Sequence, residues 1–229
     1  MRTGQQMETV VFDLDGTLAD TSADLLAAAN ACFAGMGHIA PLDPARDGGT
    51  AVQGARAMLR LGFERLRGPG DHDSDVDQHY RPLLEHYGAD IARHTTFYPG
   101  ALDAVAALRA AGYRVAICTN KPGWLTERLL LALRVTDAFD AVVAADTLPV
   151  SKPDPAPFRE AVIRAGGDPA RAFLVGDTQT DVSTARAAGV PVVLVSFGPA
   201  GREVLSLDHD HALHDYAELG ALADRLLRH

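Results

Sequence analysis

The stretch Thr9-Val10-Val11-Phe12-Asp13-Leu14-Asp15-Gly16-Thr17 decides how the rest of the chain is read. Its first four residues form a short β-branched and aromatic run that ends on a carboxylate. That is the pattern of a buried strand delivering a polar residue to its carboxyl end. Gly16 then lets the backbone turn tightly. Two carboxylates leaving an apolar strand ahead of Gly-Thr are poorly explained as a turn cap.

From about residue 99 onward the pattern repeats. Helical periodicity covers 101–110 (closed by Gly112), 124–133, 155–165 and 180–188 (stopped by Gly189), and strand-like runs cover 113–118, 141–144, 172–175 and 190–195. A last helix is expected over 216–227. Strands alternating with helices predict an α/β fold, a Rossmann-like parallel sheet core with right-handed crossovers. Residues 20–95 differ: helical stretches at 22–35, 50–61 and 76–92, the last with a break or start at Pro82, and no strand. A polar Gly/Asp run over 67–75 lies between them. The expected organisation is a core domain from 1–19 and 96–229, with an inserted all-helical cap domain over 20–95. Insertions on two short linkers serve as lids, here with hinges expected near 18–20 and 95–100.

The chain of 229 residues is 47% hydrophobic and 22% charged, ordinary for a soluble globular protein. No window offers the roughly 18 apolar residues of a membrane span, and the opening MRTGQQMETV lacks the apolar stretch of a secretory signal. A cytoplasmic protein is expected, with Cys32 and Cys118 as free thiols. The balance of 21 Lys+Arg against 30 Asp+Glu, a net charge of −9, excludes nucleic acid as a partner. It leaves room for a small phosphorylated metabolite, since one local positive site and a divalent cation bind an anion within an acidic protein. The chain is expected to be a monomer or homodimer.

Open parallel sheets place ligands outside the carboxyl ends of their strands. Four strand ends here carry Asp13 to Thr17, Thr119-Asn120-Lys121, Ser151-Lys152-Pro153-Asp154-Pro155 and Gly176-Asp177-Thr178-Gln179-Thr180-Asp181. These parts suit phosphoryl transfer. Clustered carboxylates repel, and Mg²⁺, a hard ion preferring oxygen ligands, resolves the repulsion. Asp13 and Asp177 are the candidate side-chain ligands, with the Asp15 backbone carbonyl a third. Asp13 can attack phosphorus, and Asp15 can protonate the leaving alkoxide and then deprotonate water. Thr119 and Lys152 would hold the non-bridging oxygens, with Gly16 and Asn120 lining the phosphate position.

In order, these strand ends resemble the four motifs of the haloacid dehalogenase-like superfamily: the DxDGT-L motif from Asp13 to Leu18, the Ser/Thr motif at Thr119, the Lys motif at Lys152, and the GDxxxD motif at Asp177 and Asp181. The resemblance runs from residue 10 to about 195. It implies Asp13 as nucleophile, Asp15 as acid/base, Thr119 and Lys152 as phosphate holders, Asp177 as metal ligand, and Asp181 as the further acidic residue supporting the metal. The helical insert, and Leu18-Ala19-Asp20-Thr21-Ser22-Ala23-Asp24-Leu25 at its entry, resemble the phosphoglycolate phosphatase-like branch. That makes 2-phosphoglycolate the first expected substrate. N-acetylmuramic acid 6-phosphate or another sugar phosphate is the alternative, and a β-phosphoglucomutase-like isomerase is disfavoured because positions 19–29 contain no His. Gln53 to Leu59 resembles the cap loop and helix that face substrate, though Val52 stands where the nearest patterns have Ser. Arg56 in that stretch is the candidate for gripping a substrate carboxylate.

Blander roles stand beside these. Thr119 would serve as N-cap for the helix near Trp124, Lys152 as a solvated loop lysine, Asp177 or Asp181 as a helix cap, and Arg56 as an intra-cap or surface residue. Trp124 is expected in helix packing and Cys118 inside its strand. His72, His79 and His86, and the run Asp208-His209-Asp210-His211, lack any zinc framework and read as surface features.

Overall fold

The structure, a computed structural model, describes residues 7–228. Residues 1–6, on which the expectation about a secretory signal chiefly falls, lie outside the described residues. The chain divides into two compact units, one of Met1–Ala19 with Phe97–His229 and the other of Asp20–Thr96. In chain order the elements are β1 (Met7–Phe12), β2 (Ala19–Asp20), α1 (Ser22–Gly35), α2 (Gly48–Ala51), α3 (Ala55–Arg67), α4 (Asp73–Ala89) and β3 (Thr96–Phe97). Then come α5 (Ala101–Ala110), β4 (Arg114–Cys118), α6 (Gly123–Ala132), β5 (Ala141–Val143), α7 (Pro155–Arg164), β6 (Gly167–Gly176), α8 (Gln179–Ala188), β7 (Val192–Val195), β8 (His211–Leu213) and α9 (Leu219–Leu227).

The first unit is built on a six-stranded sheet in the order β5-β4-β1-β6-β7-β8, parallel throughout. Sheets of this kind are covered on both faces, so their strands read as unbroken apolar runs. Val10, Val11 and Phe12 are wholly buried, as are Val115 to Cys118 and Phe173 to Val175. Phe158 and Val162 of α7 pack into the same core. Register fixes the site. Phe12 pairs with Ile117 on one side and Val175 on the other. The residues just beyond, Asp13, Thr119 and Asp177, therefore emerge along one edge of the sheet.

Three features of this unit depart from the sequence reading. Strand β6 begins at Gly167 rather than 172, because its register against β1 shifts between Met7 and Thr9 and absorbs the intervening residues. The polar run 208–211 lies at the surface as expected, but it also feeds the unanticipated strand β8, and the Asp210 carboxylate accepts the Val192 N–H at 2.8 Å and pairs with Arg186 at 2.7 Å. The last helix opens with a 3₁₀ turn, Tyr216–Glu218, before α9.

In the second unit, the single helix expected over 50–61 is broken. α2 stops at Ala51, and Gly54, at a φ of 98°, turns the chain before α3 starts. α4 runs through Pro82 without a break. A proline there deletes one backbone bond, and the packing of Val76, Leu83 and Tyr87 holds the helix across it. The Phe33 and Phe63 rings meet edge-on at 5.1 Å. Gly62 is required at this crossing, since a Cβ would lie 2.2 Å from the Phe33 ring. His72 is buried, and both it and His79 pack on Phe63, at 6.0 and 5.7 Å, so these two are packing residues rather than surface ones. Cys32 and Cys118 are free and buried. No helix among the described residues is long and apolar enough to cross a membrane.

Candidate active site

The site starts where the β1–β6 ladder ends. The Asp13 N–H still bonds the Val175 carbonyl at 2.9 Å, and its side chain turns out of the sheet edge. Asp13 Oδ1 accepts the Leu14 N–H at 2.8 Å and lies 3.1 Å from Lys152 Nζ. Lys152 is almost completely buried, and Nζ also reaches Asp181 Oδ1 at 2.7 Å. Asn120 fastens the Lys152 backbone from both sides, accepting its N–H at 2.9 Å and donating to its carbonyl at 2.8 Å. Thr119 Oγ1 accepts the Lys121 N–H at 3.1 Å, which leaves the hydroxyl proton to donate elsewhere. Thr119 does not cap the following helix, whose N-cap is Pro122.

Asp177 Oδ1 accepts the Thr17 hydroxyl at 2.7 Å, while Asp177 Oδ2 is buried with no hydrogen-bond partner among the described residues. Asp181 serves twice. Its Oδ2 accepts the Thr178 N–H at 3.1 Å and the Thr178 hydroxyl at 2.7 Å, closing the capping box of α8, while Oδ1 holds Lys152. The approach is so close that a Cβ on Gly176 would lie 2.4 Å from the Asp181 side chain. Gly198 is equally constrained, with the Gly16 carbonyl 2.6 Å from where its Cβ would stand. Tyr216 braces the turn by donating its hydroxyl to the Thr17 carbonyl at 2.8 Å.

Asp13, Asp177 and Asp181 each place a carboxylate oxygen within 4.8 Å of the others. Burial pushes the Asp13 carboxyl up to about 6. Lys152 opposes that rise, while Asp181 and Asp15 add to it. Burial, then Asp181 and Asp13, push Asp177 well above the carboxylate range. Burial alone would lower the Lys152 ammonium, but Asp13 and Asp181 outweigh it and the net shift is upward. Three buried carboxylates, one with an unsatisfied oxygen, make an all-oxygen donor set that fits a hard divalent cation. The Cys118 thiol beneath them is pushed up to about 12 by burial and is inert.

The sequence pattern of the haloacid dehalogenase-like hydrolases matches residues 7–189. The chain belongs to this family. The hydrolase is 40% identical over 223 residues to the phosphoglycolate phosphatase of Mesorhizobium japonicum, covering 96% of each chain. Its fold matches the crystal structure of a predicted phosphoglycolate phosphatase from Haemophilus somnus, with a TM-score of 0.80, 25% identity, and 96% and 99% of the two chains covered. It is also similar to CbbY of Rhodobacter sphaeroides, solved in complex with phosphate, with a TM-score of 0.74, 27% identity, and 93% and 96% covered.

Within the hydrolase, the residues proposed from sequence divide by place. Asp13, Asp15, Gly16, Thr119, Asn120, Lys152, Asp177 and Asp181 all belong to the sheet unit. The Asn120 side chain is engaged by the Lys152 backbone, so any part it plays at the phosphate position would fall to its main chain. The Asp15 carboxylate faces a lysine, so its contribution to a metal would be the backbone carbonyl. Arg56 lies in the helical unit, where its guanidinium pairs with Asp77 at 2.6 Å and sits 4.8 Å over the Tyr80 ring. Trp124 is 45% exposed rather than packed.

Four further residues were given no role of their own from sequence: Thr17, Lys121, Gly198 and Tyr216. Lys121 is the most consequential. Its Nζ donates to both Asp15 carboxylate oxygens, at 2.8 and 2.9 Å, and its side chain is only 4% exposed. Its place immediately after Thr119-Asn120 at a strand end was the available signal. Gly198 and Tyr216 come from segments with no recognisable motif, and only the fold brings them to the site.

Proposed function

We propose that this hydrolase is a Mg²⁺-dependent phosphomonoesterase acting on 2-phosphoglycolate through an aspartyl-phosphate on Asp13. One observation carries the reading: a buried carboxylate cluster with an unsatisfied Asp177 oxygen, neighboured by a buried lysine. Asp13, Asp177 and the Asp15 carbonyl would hold Mg²⁺, with Asp181 behind them, and the ion would supply charge neutralisation at the transferring phosphoryl group. Lys152 and the free Thr119 proton hold the non-bridging oxygens. An Asp13 oxygen forms a bond to phosphorus as the bond to the ester oxygen breaks, and Asp15 gives that oxygen a proton. Asp15 then takes a proton from water as the water opens the acyl phosphate, restoring Asp13 and releasing inorganic phosphate. The names of the curated relatives support the substrate, and the phosphate-bound neighbour supports a small phosphorylated ligand.

The test is phosphate release from a panel of esters with Mg²⁺, with EDTA, and with Asp13→Asn. The panel holds 2-phosphoglycolate, N-acetylmuramic acid 6-phosphate, hexose phosphates and an aryl phosphate. Metal-dependent turnover led by 2-phosphoglycolate is expected, falling by at least about a thousandfold in the Asp13 variant. A lead by the sugar phosphates would reassign the substrate. Interconversion of β-glucose 1-phosphate with its 6-isomer, without release, would favour a mutase.

A further inference from the structure

We propose that Lys121 reads the carboxylate of the substrate's leaving group, exchanging its contact with Asp15 for one with the incoming ester. The proposal rests on the reading of 2-phosphoglycolate as substrate and deepens it.

The site holds two buried lysines with different commitments. Lys152 is gripped by Asp13 and Asp181, and its backbone is fastened by Asn120. Lys121 faces Asp15, the group that must reach the leaving oxygen, and touches both of its carboxylate oxygens. Its ammonium therefore lies one hydrogen-bond length from the atoms that meet the leaving group. In 2-phosphoglycolate the carboxylate is attached one carbon from that oxygen, within reach of the same ammonium.

Electrostatics requires a cation there. The four carboxylates Asp13, Asp15, Asp177 and Asp181 already line the site, so a substrate carboxylate without a partner would be a further buried, uncompensated charge. The cation favoured from sequence, Arg56, is engaged by Asp77 and Tyr80 in the helical unit. Lys121 is also held where an exchange can be accurate. Its N–H bonds Thr119 Oγ1 at 3.1 Å, and its carbonyl accepts the Ala145 N–H at 3.1 Å. With the backbone fixed, only the side-chain end has to move. An ammonium has three donors, so passing one or two of them to the substrate uncovers Asp15 oxygens for proton exchange with the leaving oxygen. Recognition of the carboxylate and release of the acid/base then become one event.

Steady-state kinetics of the Mg²⁺-loaded protein on 2-phosphoglycolate and on ethyl phosphate, which lacks the carboxylate, test this with Lys121→Met and Lys121→Arg. For Lys121→Met, kcat/KM on 2-phosphoglycolate is expected to fall on the order of 10- to 100-fold, mainly through KM. Ethyl phosphate also reacts through Asp15 and will change too, so the reading is the ratio: kcat/KM on 2-phosphoglycolate relative to ethyl phosphate should fall by at least about tenfold. Lys121→Arg should recover part of the preference. Equal losses on both esters would make Lys121 a positioning residue for Asp15 alone and overturn the proposal, as would an unchanged preference in the Met variant. Circular dichroism and melting check folding. If the Met variant does not fold, Lys121→Gln is read by the same criterion, and in either case an Arg variant with no preference for 2-phosphoglycolate counts against the idea. A wild-type protein that does not prefer 2-phosphoglycolate over ethyl phosphate would instead break the substrate reading itself.

Discussion

The two units of this hydrolase differ in where their charges are paired. In the sheet unit, Asp13, Lys121, Lys152, Asp177 and Asp181 are all less than a tenth exposed and gathered at strand ends. In the helical unit the ion pairs Arg56–Asp77, Arg60–Asp73 and Arg67–Asp75 lie on the surface, with side chains from 31% to 68% exposed. Exposed pairs contribute little, typically below about 1 kcal/mol. Buried charges are costly unless paired, and they cluster where a site needs shifted pKa values. The contrast teaches that the first unit holds ion-paired charge in its interior, at the candidate active site, whereas most ion pairs of the second lie at its surface.

The largest expected effect tests the first half of that statement. Lys152→Met leaves Asp13 and Asp181 buried beside each other without their cation. Denaturant unfolding in EDTA should show a loss of about 3–5 kcal/mol, together with loss of turnover. An unchanged unfolding midpoint would mean that the carboxylates are not held against repulsion by this lysine. Next, Mg²⁺ should stabilise the wild type by about 2.7 kcal/mol at a hundred times its Kd, as binding to the folded state alone requires. Asp177→Asn should abolish that gain in a calorimetric scan. A variant that still responds fully to Mg²⁺ would remove Asp177 from the donor set.

Legibility in the sequence follows the same division. Helix α5 occupies the residues its periodicity predicts, because an alanine-rich run between Gly100 and Gly112 leaves no competing pattern. Strands β1 and β4 are similarly plain, since burial on both faces forces continuous apolar runs. What was hidden depends on tertiary pairing. The three-residue strand β8 is specified by its partner β7, not by its own polar-flanked sequence. The break before α3 depends on Gly54 adopting a positive φ, which no neighbouring residue announces. Lys121 reads as an ordinary loop lysine until Asp15, 106 residues away, is seen across from it. The Asn120 side chain shows the converse: a polar residue at the right strand end whose work is to hold Lys152.

The helical unit offers its own buried carboxylate as a comparison. Asp24 accepts the N–H of His94 at 3.0 Å, and the N–H and hydroxyl of Thr95 at 2.8 and 2.7 Å. Nothing about this arrangement calls for chemistry: it ties the start of α1 to the segment that closes the unit. Asp24→Ala would orphan those donors and should cost about 2–3 kcal/mol in thermal or chemical unfolding. A loss as large as that of Lys152→Met would blur the distinction between the units, because a purely structural carboxylate would then matter as much as the site's own.

The smallest effect concerns Asp47, whose carboxylate receives Arg65 on both oxygens, at 2.5 and 2.7 Å. The hydrogen bond from Arg65 holds the Asp47 carboxyl below its ordinary value, and burial only partly opposes it. A depressed folded-state value stabilises the fold above the unfolded pKa of about 3.9, and that contribution is lost as pH falls through the lower, folded value. Arg65 is 37% exposed, so solvent screening limits the contribution to about 1 kcal/mol. Asp47→Asn retains an acceptor for the Asp43 N–H, 2.6 Å away, and removes only the charge. Urea unfolding should therefore show a deficit of that size at neutral pH, shrinking below about pH 4 and weakening with added salt. A deficit that persists unchanged in acid would mean that shape, not charge, gives Asp47 its worth, and the helical unit would then hold no pH-dependent ion pair at this position.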